Sequence, residues 1–247
     1  WTWGCGRNGR LGLGISRGTS TPTQVTAAGE AQVVYVAGGE AHSAAVDTEG
    51  RVMTWGAGSY GRLGHGEEMD MLVPKVVGAF CEASDGGPVV VRMVSLGGYH
   101  SLFLEDGKPP SGGRLYACGC GAALGLLAEN DRSSVPVPQA LSDKKLYNPG
   151  ITQVAAGMLH SLALLQDGSL VSWGVGSNGR CGVWEVKDKA FSELSLLRIQ
   201  ERVFKGFDSS EHELRDPSER AALERRDSAV AHKGPKKSDW ELADFSC

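Results

Sequence analysis

Three sets of residues in this sequence have types and spacing that could do chemistry. Gly4, Gly6 and Gly9, inside "WGCGRNGRLGLG" from Trp3 to Gly14, fit G-x-G-x-x-G. That is the pattern by which a glycine-rich turn opening a helix holds a pyrophosphate on backbone N–H groups. Histidines 42, 100 and 160 are each followed by a serine, so each offers an imidazole for proton transfer. Cys118 and Cys120 place two thiols within reach of one metal ion. A site needs each of its groups once, so the elements carrying these residues decide between chemistry and architecture.

Those elements repeat. "WGCGRNGRLGLG" recurs as "WGAGSYGRLGHG" from Trp55 and "WGVGSNGRCGVW" from Trp173, with a degenerate "CGCGAALG" from Cys118; the successive anchors lie 52, 63 and 55 residues apart. A second signature precedes three of them: "AGGEAHSAAV" ending at Val46, "LGGYHSLFL" ending at Leu104, and "AAGMLHSLALL" ending at Leu165. The interval from histidine to anchor is 13, 18 and 13 residues, and the longer middle interval contains "KPPSGG" from Lys108 to Gly113. Between the signatures stand tight-turn signals, "DTEG" (Asp47–Gly50), "EDG" (Glu105–Gly107) and "QDG" (Gln166–Gly168). Each unit reads strand, turn, strand. On the first strand His160, Leu162 and Leu164 share one face and Ser161, Ala163 and Leu165 the other. Both faces are largely apolar, as expected of a sheet covered on both sides by neighbouring copies.

Repetition turns the chemistry into architecture. A dinucleotide fingerprint needs one strand-loop-helix unit with an acidic residue about 20 positions on, whereas this loop occurs three times and continues into "RLG" or "RCG", a poor helix opening. Its glycines are read as a tight turn passing close to a neighbour. The histidines, at one offset on a strand, are each expected to hydrogen-bond backbone within their own unit, and the tryptophans to fill the wedge between units. Of the cysteines at 5, 81, 118, 120, 181 and 247, Cys5 and Cys120 align with Ala57 and Val175, and Cys181 with Leu11, Leu63 and Leu124. The thiols therefore read as packing residues. No C-x-x-C or H-x-x-x-H completes a zinc set, so we expect no metal, no cofactor and a reducing intracellular compartment, cytoplasmic or nuclear.

The combined pattern, Gly-x-x-His-Ser, a turn, then Trp-Gly-x-Gly-x-x-Gly-x-Leu-Gly, resembles the repeats of the regulator of chromosome condensation family (RCC1-like repeats). Gly39 with His42 and Ser43, Gly97 with His100 and Ser101, Gly157 with His160 and Ser161, and the Trp-Gly anchors carry the resemblance. Prolines at 22, 74, 136 and 138, some 18 to 20 residues after an anchor, suit the close of such a repeat. The resemblance covers roughly residues 1–185 and implies β-propeller architecture, with seven four-stranded blades in the family. Only about three units and a fragment are present, fewer than the ~4 to 8 blades of a closed ring. The expected fold is therefore all-β, a partial β-propeller over residues 1–190, as a piece of a larger propeller or an open array. Trp1 falls inside a repeat, so further sequence is expected ahead of it.

Composition agrees. Of 35 glycines, 33 precede residue 198, too many for helical interiors. A net charge of −4 with no basic surplus argues against nucleic acid, and no apolar run approaches the ~18 residues of a membrane span. From Arg198 onward the chain changes, with 21 charged residues in 50 against 33 in the first 197. Residues 191–247 are expected to form a separate charged tail, partly helical and partly disordered. Leu196, Ile199, Val203 and Phe207 have helical spacing, Asp216, Pro217 and Glu219 start a second helix, and "RRDS" at Arg225 to Ser228 has the form of a basophilic kinase site.

The function expected is a non-enzymatic protein-binding scaffold whose partner-specific residues sit in the glycine turns: Arg7, Asn8, Ser59, Tyr60, Arg62, Ser177, Asn178 and Arg180, with Tyr60 as anchor. The alternative implied by the resemblance is guanine-nucleotide exchange on a small Ran-like GTPase, which in the family a wedge-like hairpin assists. Neither "CEASDGGP" nor "KPPSGG" shows the strand pair such a wedge needs. A third reading is a regulatory propeller within a larger ubiquitin-ligase or kinase-type protein. The glycine loops themselves are expected to bind no nucleotide. Calorimetry with NAD, ATP and GTP checks this: saturable binding tighter than about 100 μM, lost in Gly6→Val, would contradict it.

Overall fold

The computed structural model of the protein describes residues 1–181, apart from 27–28, 30, 82–86, 108–112, 126–132, 143 and 148–149. The expected tail, most of "CEASDGGP" and most of "KPPSGG" lie outside the described residues.

Hydrophobic alternation, tight turns and glycine punctuation generate four sheets. The first pairs β1 (Thr2–Gly4) with β2 (Thr19–Thr23). The second is a meander of β3 (Val33–Gly38), β4 (His42–Asp47), β5 (Val52–Gly56) and β6 (Met71–Val76). The third repeats it with β7 (Val91–Leu96), β8 (His100–Glu105), β9 (Leu115–Cys120) and β10 (Ser134–Ala140). The fourth has β11 (Ile151–Ala156), β12 (His160–Leu165) and β13 (Leu170–Gly174). All pairings are antiparallel between sequence neighbours, as in propeller blades. The unit around Cys118, degenerate in sequence, is a complete four-stranded blade. The expected hairpin turns form at Asp47–Gly50, where Asp47 accepts from the N–H groups of Glu49 and Arg51, and at Gln166–Gly168.

The core lies between blades. Ala44, Val46 and Val52 of the second blade pack with Val91, Val94 and Phe103 of the third, and Phe80 from the connecting turn joins them. Leu102, Leu104 and Leu115 of the third pack with Ile151, Val154, Ala163 and Trp173 of the fourth. Strand β8 is consequently buried on both faces from His100 to Leu104. On β12, Ser161, Ala163 and Leu165 are buried but His160, Leu162 and Leu164 are half-exposed, because no described strand follows on that side.

Each glycine loop is a single 3-10 turn, Arg7–Gly9, Ser59–Gly61 and Ser177–Gly179, and none opens an α-helix. Gly61 shows why glycine is needed. Its φ is +71°, and a Cβ there would stand 2.3 Å from the Pro136 Cα of the next blade. The tryptophans behave as expected in two copies of three. Trp55 (6% exposed) and Trp173 (2%) fill the wedge before their blades, whereas Trp3 is 61% exposed because no described blade precedes it. Trp55 Nε1 also donates to the Arg10 carbonyl of the preceding blade (3.0 Å). In the third blade Cys118 takes this column, its Sγ 3.4 Å from the equivalent Arg62 carbonyl. Trp55→Ala is expected to cost about 3–5 kcal/mol, the range for truncating a buried aromatic, and Tyr60→Ala about 1 kcal/mol. Urea titrations of the two variants separate core from surface, and equal losses would contradict this assignment.

Candidate functional site

The His-Ser pairs are where the structure departs from the expectation that each histidine bonds backbone in its own unit. His42 Nε2 lies 2.9 Å from Ser101 Oγ of the next blade, and His100 Nε2 lies 2.9 Å from Ser161 Oγ of the blade after. Ser101 has one hydroxyl proton, which it donates to the Arg62 carbonyl (2.6 Å), so it accepts from His42 Nε2–H. The ring therefore crosses the blade boundary instead of folding back onto its own strand. The Nδ1 atoms of His42, His100 and His160 are buried without a partner among the described residues. A second proton would have to sit there, unsolvated. Burial pushes the pKa of both His42 and His100 down to about 3; for His42 the Arg62 guanidinium and His100 add to it, and for His100 His160 and Arg62 do. These imidazoles are neutral structural donors and not proton-transfer groups.

The glycine turns and the inner bends share one end of the blades, because in an antiparallel meander the first and third connections lie together. Arg7, Asn8, Ser59 and Ser177 are exposed there, and Asn178 lies in the third turn. Asn8 and Tyr60 have left-handed backbone, φ 58° and 62°. Asn8 Nδ2 donates to Asp70 (2.8 Å), whose other oxygen accepts from the Gly58 N–H (2.9 Å), and the Tyr60 N–H donates to Glu68 (3.2 Å). Tyr60 is half-exposed and meets Tyr99 of the next blade edge-on, centroids 5.6 Å apart.

Arg62 does not belong to the free surface. It is buried; its Nη1 donates to the Gly98 carbonyl (2.6 Å), its Nε to the Ser59 carbonyl (2.9 Å), and its guanidinium stacks 4.9 Å from the Tyr99 ring centre. Burial lowers its pKa. Arg10 makes the matching bridge one blade earlier, from Nη1 to the Glu40 carbonyl (2.9 Å), and half-buried Arg180 donates to the Ser177 carbonyl (2.8 Å). Sequence reasoning missed Glu40, Tyr99 and Met158, which sit at the inner bends at the same end as Tyr60; their signal was their place one or two residues before each repeated histidine. Cys118, Cys120 and Cys181 are buried as packing residues, while Cys81 is exposed. Among the described residues no cluster of three or more His, Cys, Asp or Glu forms a metal site, and no helix is long and apolar enough to cross a membrane.

Two sequence profiles, each described as the Regulator of chromosome condensation (RCC1) repeat, match this chain, one over residues 1–46 and 49–104, the other over 33–62 and 151–180. The chain belongs to the RCC1 repeat family. Its RCC1 repeats are 35% identical over 182 residues to the Ultraviolet-B receptor UVR8 of Arabidopsis thaliana, covering 74% of this chain and 38% of that protein. They are 33% identical over 186 residues to the E3 ubiquitin-protein ligase HERC2 of Homo sapiens, covering 74% and 4%. They are 30% identical over 199 residues to the guanine nucleotide exchange factor SRM1 of Saccharomyces cerevisiae, covering 76% and 40%. The crystal structure of Prp20p from Saccharomyces cerevisiae superposes with a TM-score of 0.60 at 25% identity, covering 80% of this chain and 46% of that one. The chain thus spans less than half the length of each of these four proteins, and the match to HERC2 lies in its RCC1 repeats alone.

The neutral imidazoles give the RCC1 blades a pH dependence. An unfolded histidine titrates near 6.5, and His42 and His100 in the fold near 3, so the native state binds fewer protons between these values. Their contribution is complete above pH 6.5 and is lost as pH falls toward 3. Stability should drop by roughly 1–3 kcal/mol per pH unit between pH 6 and 5, above the range where most carboxylates titrate. Urea midpoints at pH 7, 6 and 5 check it; a flat profile would contradict the neutral relay.

Proposed function

We propose that this chain is a non-enzymatic scaffold that binds a protein partner through the end of its blades bearing the glycine turns. The observation that carries this reading is the division of side chains at that end. Arg10 and Arg62 reach across to the next blade, while Arg7, Asn8, Ser59 and Tyr60 project from backbone held by those bridges, and Ser177 projects from the third turn, where Arg180 donates to its carbonyl. Tyr60 and Tyr99, edge to face between two complete blades, supply a rigid aromatic anchor of the kind that dominates interface energies. Glu40 and exposed Met158 flank them. Asn178 and Arg180 extend the same row. We place the protein inside the cell, in cytoplasm or nucleus, in keeping with the exposed thiol of Cys81.

A second reading is guanine-nucleotide exchange on a small GTPase, favoured by the likeness to SRM1 and to Prp20p, whose structure was described with its binding to Gsp1p and histones. Exchange requires only that a surface bind the nucleotide-distorted state of the GTPase better than the loaded one, so it asks for no cofactor site on this chain. The likeness to HERC2 would suit a regulatory propeller within a ligase. The assay is release of a fluorescent GDP from a Ran-type GTPase. Binding without faster release supports the scaffold, and release accelerated tenfold or more replaces it with exchange. For whichever partner binds, Tyr60→Ala should weaken affinity about tenfold while costing little stability, whereas Arg62→Ala should lower the melting temperature first. Unchanged affinity in Tyr60→Ala would move the contact off this face.

A further inference from the structure

The turn of the third blade is shorter than the others, and the boundary behind it is short of partners. From anchor to buried leucine or cysteine the chain runs eight residues in three copies (Trp3 to Leu11, Trp55 to Leu63, Trp173 to Cys181) but six from Cys118 to Leu124. The shortened turn is a single buried α-turn, Gly121–Leu124, and Ala123 stands where Arg10, Arg62 and Arg180 stand in the other copies. Three bonds weaken together. Ser43 and Ser101 meet the carbonyl of the preceding turn at 2.8 and 2.6 Å, whereas Ser161 is 3.5 Å from that of Ala123. Trp55 Nε1 donates to the Arg10 carbonyl, while Trp173 Nε1 is buried without a partner among the described residues. Arg10 and Arg62 donate to the inner-bend carbonyls of Glu40 and Gly98, but no described arginine reaches the equivalent Met158 carbonyl, which accepts from the Gly98 N–H (3.2 Å).

The gap lies at the end of the blades that bears the turns. Half-exposed Tyr60, Tyr99, Leu159 and Val175 pack against Ala122 and Ala123, an apolar lining suited to the stem of a long side chain. Polar atoms converge at its inner rim. A Cβ on Gly98 would stand 2.8 Å from the Met158 carbonyl oxygen and 2.9 Å from Glu40 Oε2, so both acceptors border one spot, close enough for a single guanidinium to meet the two. The Glu40 carboxylate is exposed and forms no ion pair among the described residues; Arg10 and Arg62 are turned to main-chain carbonyls. We propose that this gap is a seat for an arginine side chain of the protein partner, which supplies the guanidinium absent from the third blade's turn. Its stem lies along the tyrosines and Leu159, and its N–H groups donate to the Met158 carbonyl and the Glu40 carboxylate. The two acceptors select arginine over lysine, because a planar fork meets both at once, and the unpaired carboxylate selects a cation over a neutral chain. The inference rests on the reading that a partner binds this end of the blades.

The test titrates the isotope-labelled full chain with acetyl-Gly-Arg-Gly-amide and with the same peptide carrying citrulline, which keeps the shape and loses the charge. The arginine peptide should shift the amide signals of Gly98 and Met158 saturably at millimolar concentration, and the citrulline peptide should bind about fivefold more weakly or worse. Glu40→Gln, at an exposed side chain without a hydrogen bond of its own, should keep the melting temperature and weaken the arginine peptide about threefold. Equal binding of the two peptides, or an unchanged affinity in Glu40→Gln, would overturn the seat. So would unmoved signals at Gly98 and Met158, as when residues 126–132 already fill the gap. A whole partner that loses affinity in Tyr60→Ala, while the arginine peptide leaves those signals unmoved, would overturn the seat and leave the scaffold reading standing.

Discussion

A serine hydroxyl has one proton to give, and in this protein the direction it takes fixes the arrangement of the blades. Ser101 gives it to the Arg62 carbonyl, in the turn of the preceding blade, and so is left as an acceptor for the His42 ring. Three elements are joined at one atom: the second strand of one blade, the second strand of the next, and the glycine turn of the first. The histidine is kept neutral by burial, its Nδ1 having no partner among the described residues to take a second proton, and its ring lies close to the backbone. A Cβ at Gly97 would stand 2.5 Å from the His100 ring, so the Gly-x-x-His-Ser sequence is one geometric unit. Each bond is worth about 1 kcal/mol net, but breaking one strands a buried ring and costs up to about 3. Blades that slide or twist apart lose both bonds together.

That joint is what would equip the turns for the proposed binding role. A glycine-rich loop is ordinarily mobile, yet here its carbonyl at Arg10 or Arg62 accepts from the next blade, and its arginine side chain donates back across the same boundary. Cation, aromatic ring and carbonyls leave the backbone little freedom; Asn8 and Tyr60 have left-handed backbone, which asparagine adopts readily and which in Tyr60 is maintained by its surroundings. Rigid backbone with outward side chains binds without ordering loss, which is what recognition surfaces need.

The sequence displayed the repeat, the turns and the burial of Cys118, Cys120 and Cys181, because each follows from a local period that a single strand imposes; Cys5 is only half-buried and Cys81 is exposed. Leu11, Leu63, Leu124 and Cys181 share one column and all are buried. What it did not display was anything that depends on the neighbour across a blade boundary. His42 and Ser101 are 59 residues apart, and no local pattern pairs them. Arg62 looked like a surface cation beside Tyr60, but its length lets it reach the Gly98 carbonyl and be buried there. Glu40, Tyr99 and Met158 were passed over because the histidine that follows them drew the chemical argument.

Contacts in such an array are made only between adjacent blades, so its stability is a sum of nearest-neighbour interfaces and is lowest at its ends. The second and third blades have four strands each and a filled boundary between them, with the aromatic contacts of Phe80 to Phe103 and Tyr116 standing in for the tryptophan that Cys118 replaces. The Tyr60–Tyr99 pair spans that same boundary at the end bearing the turns. Local opening at the first or fourth blade would disturb Arg7, Asn8 or Ser177 long before it reached this pair. On the proposed scaffold reading, a partner that requires a preformed surface would have its firmest purchase at half-exposed Tyr60 and Tyr99, beside the best-supported blade boundary.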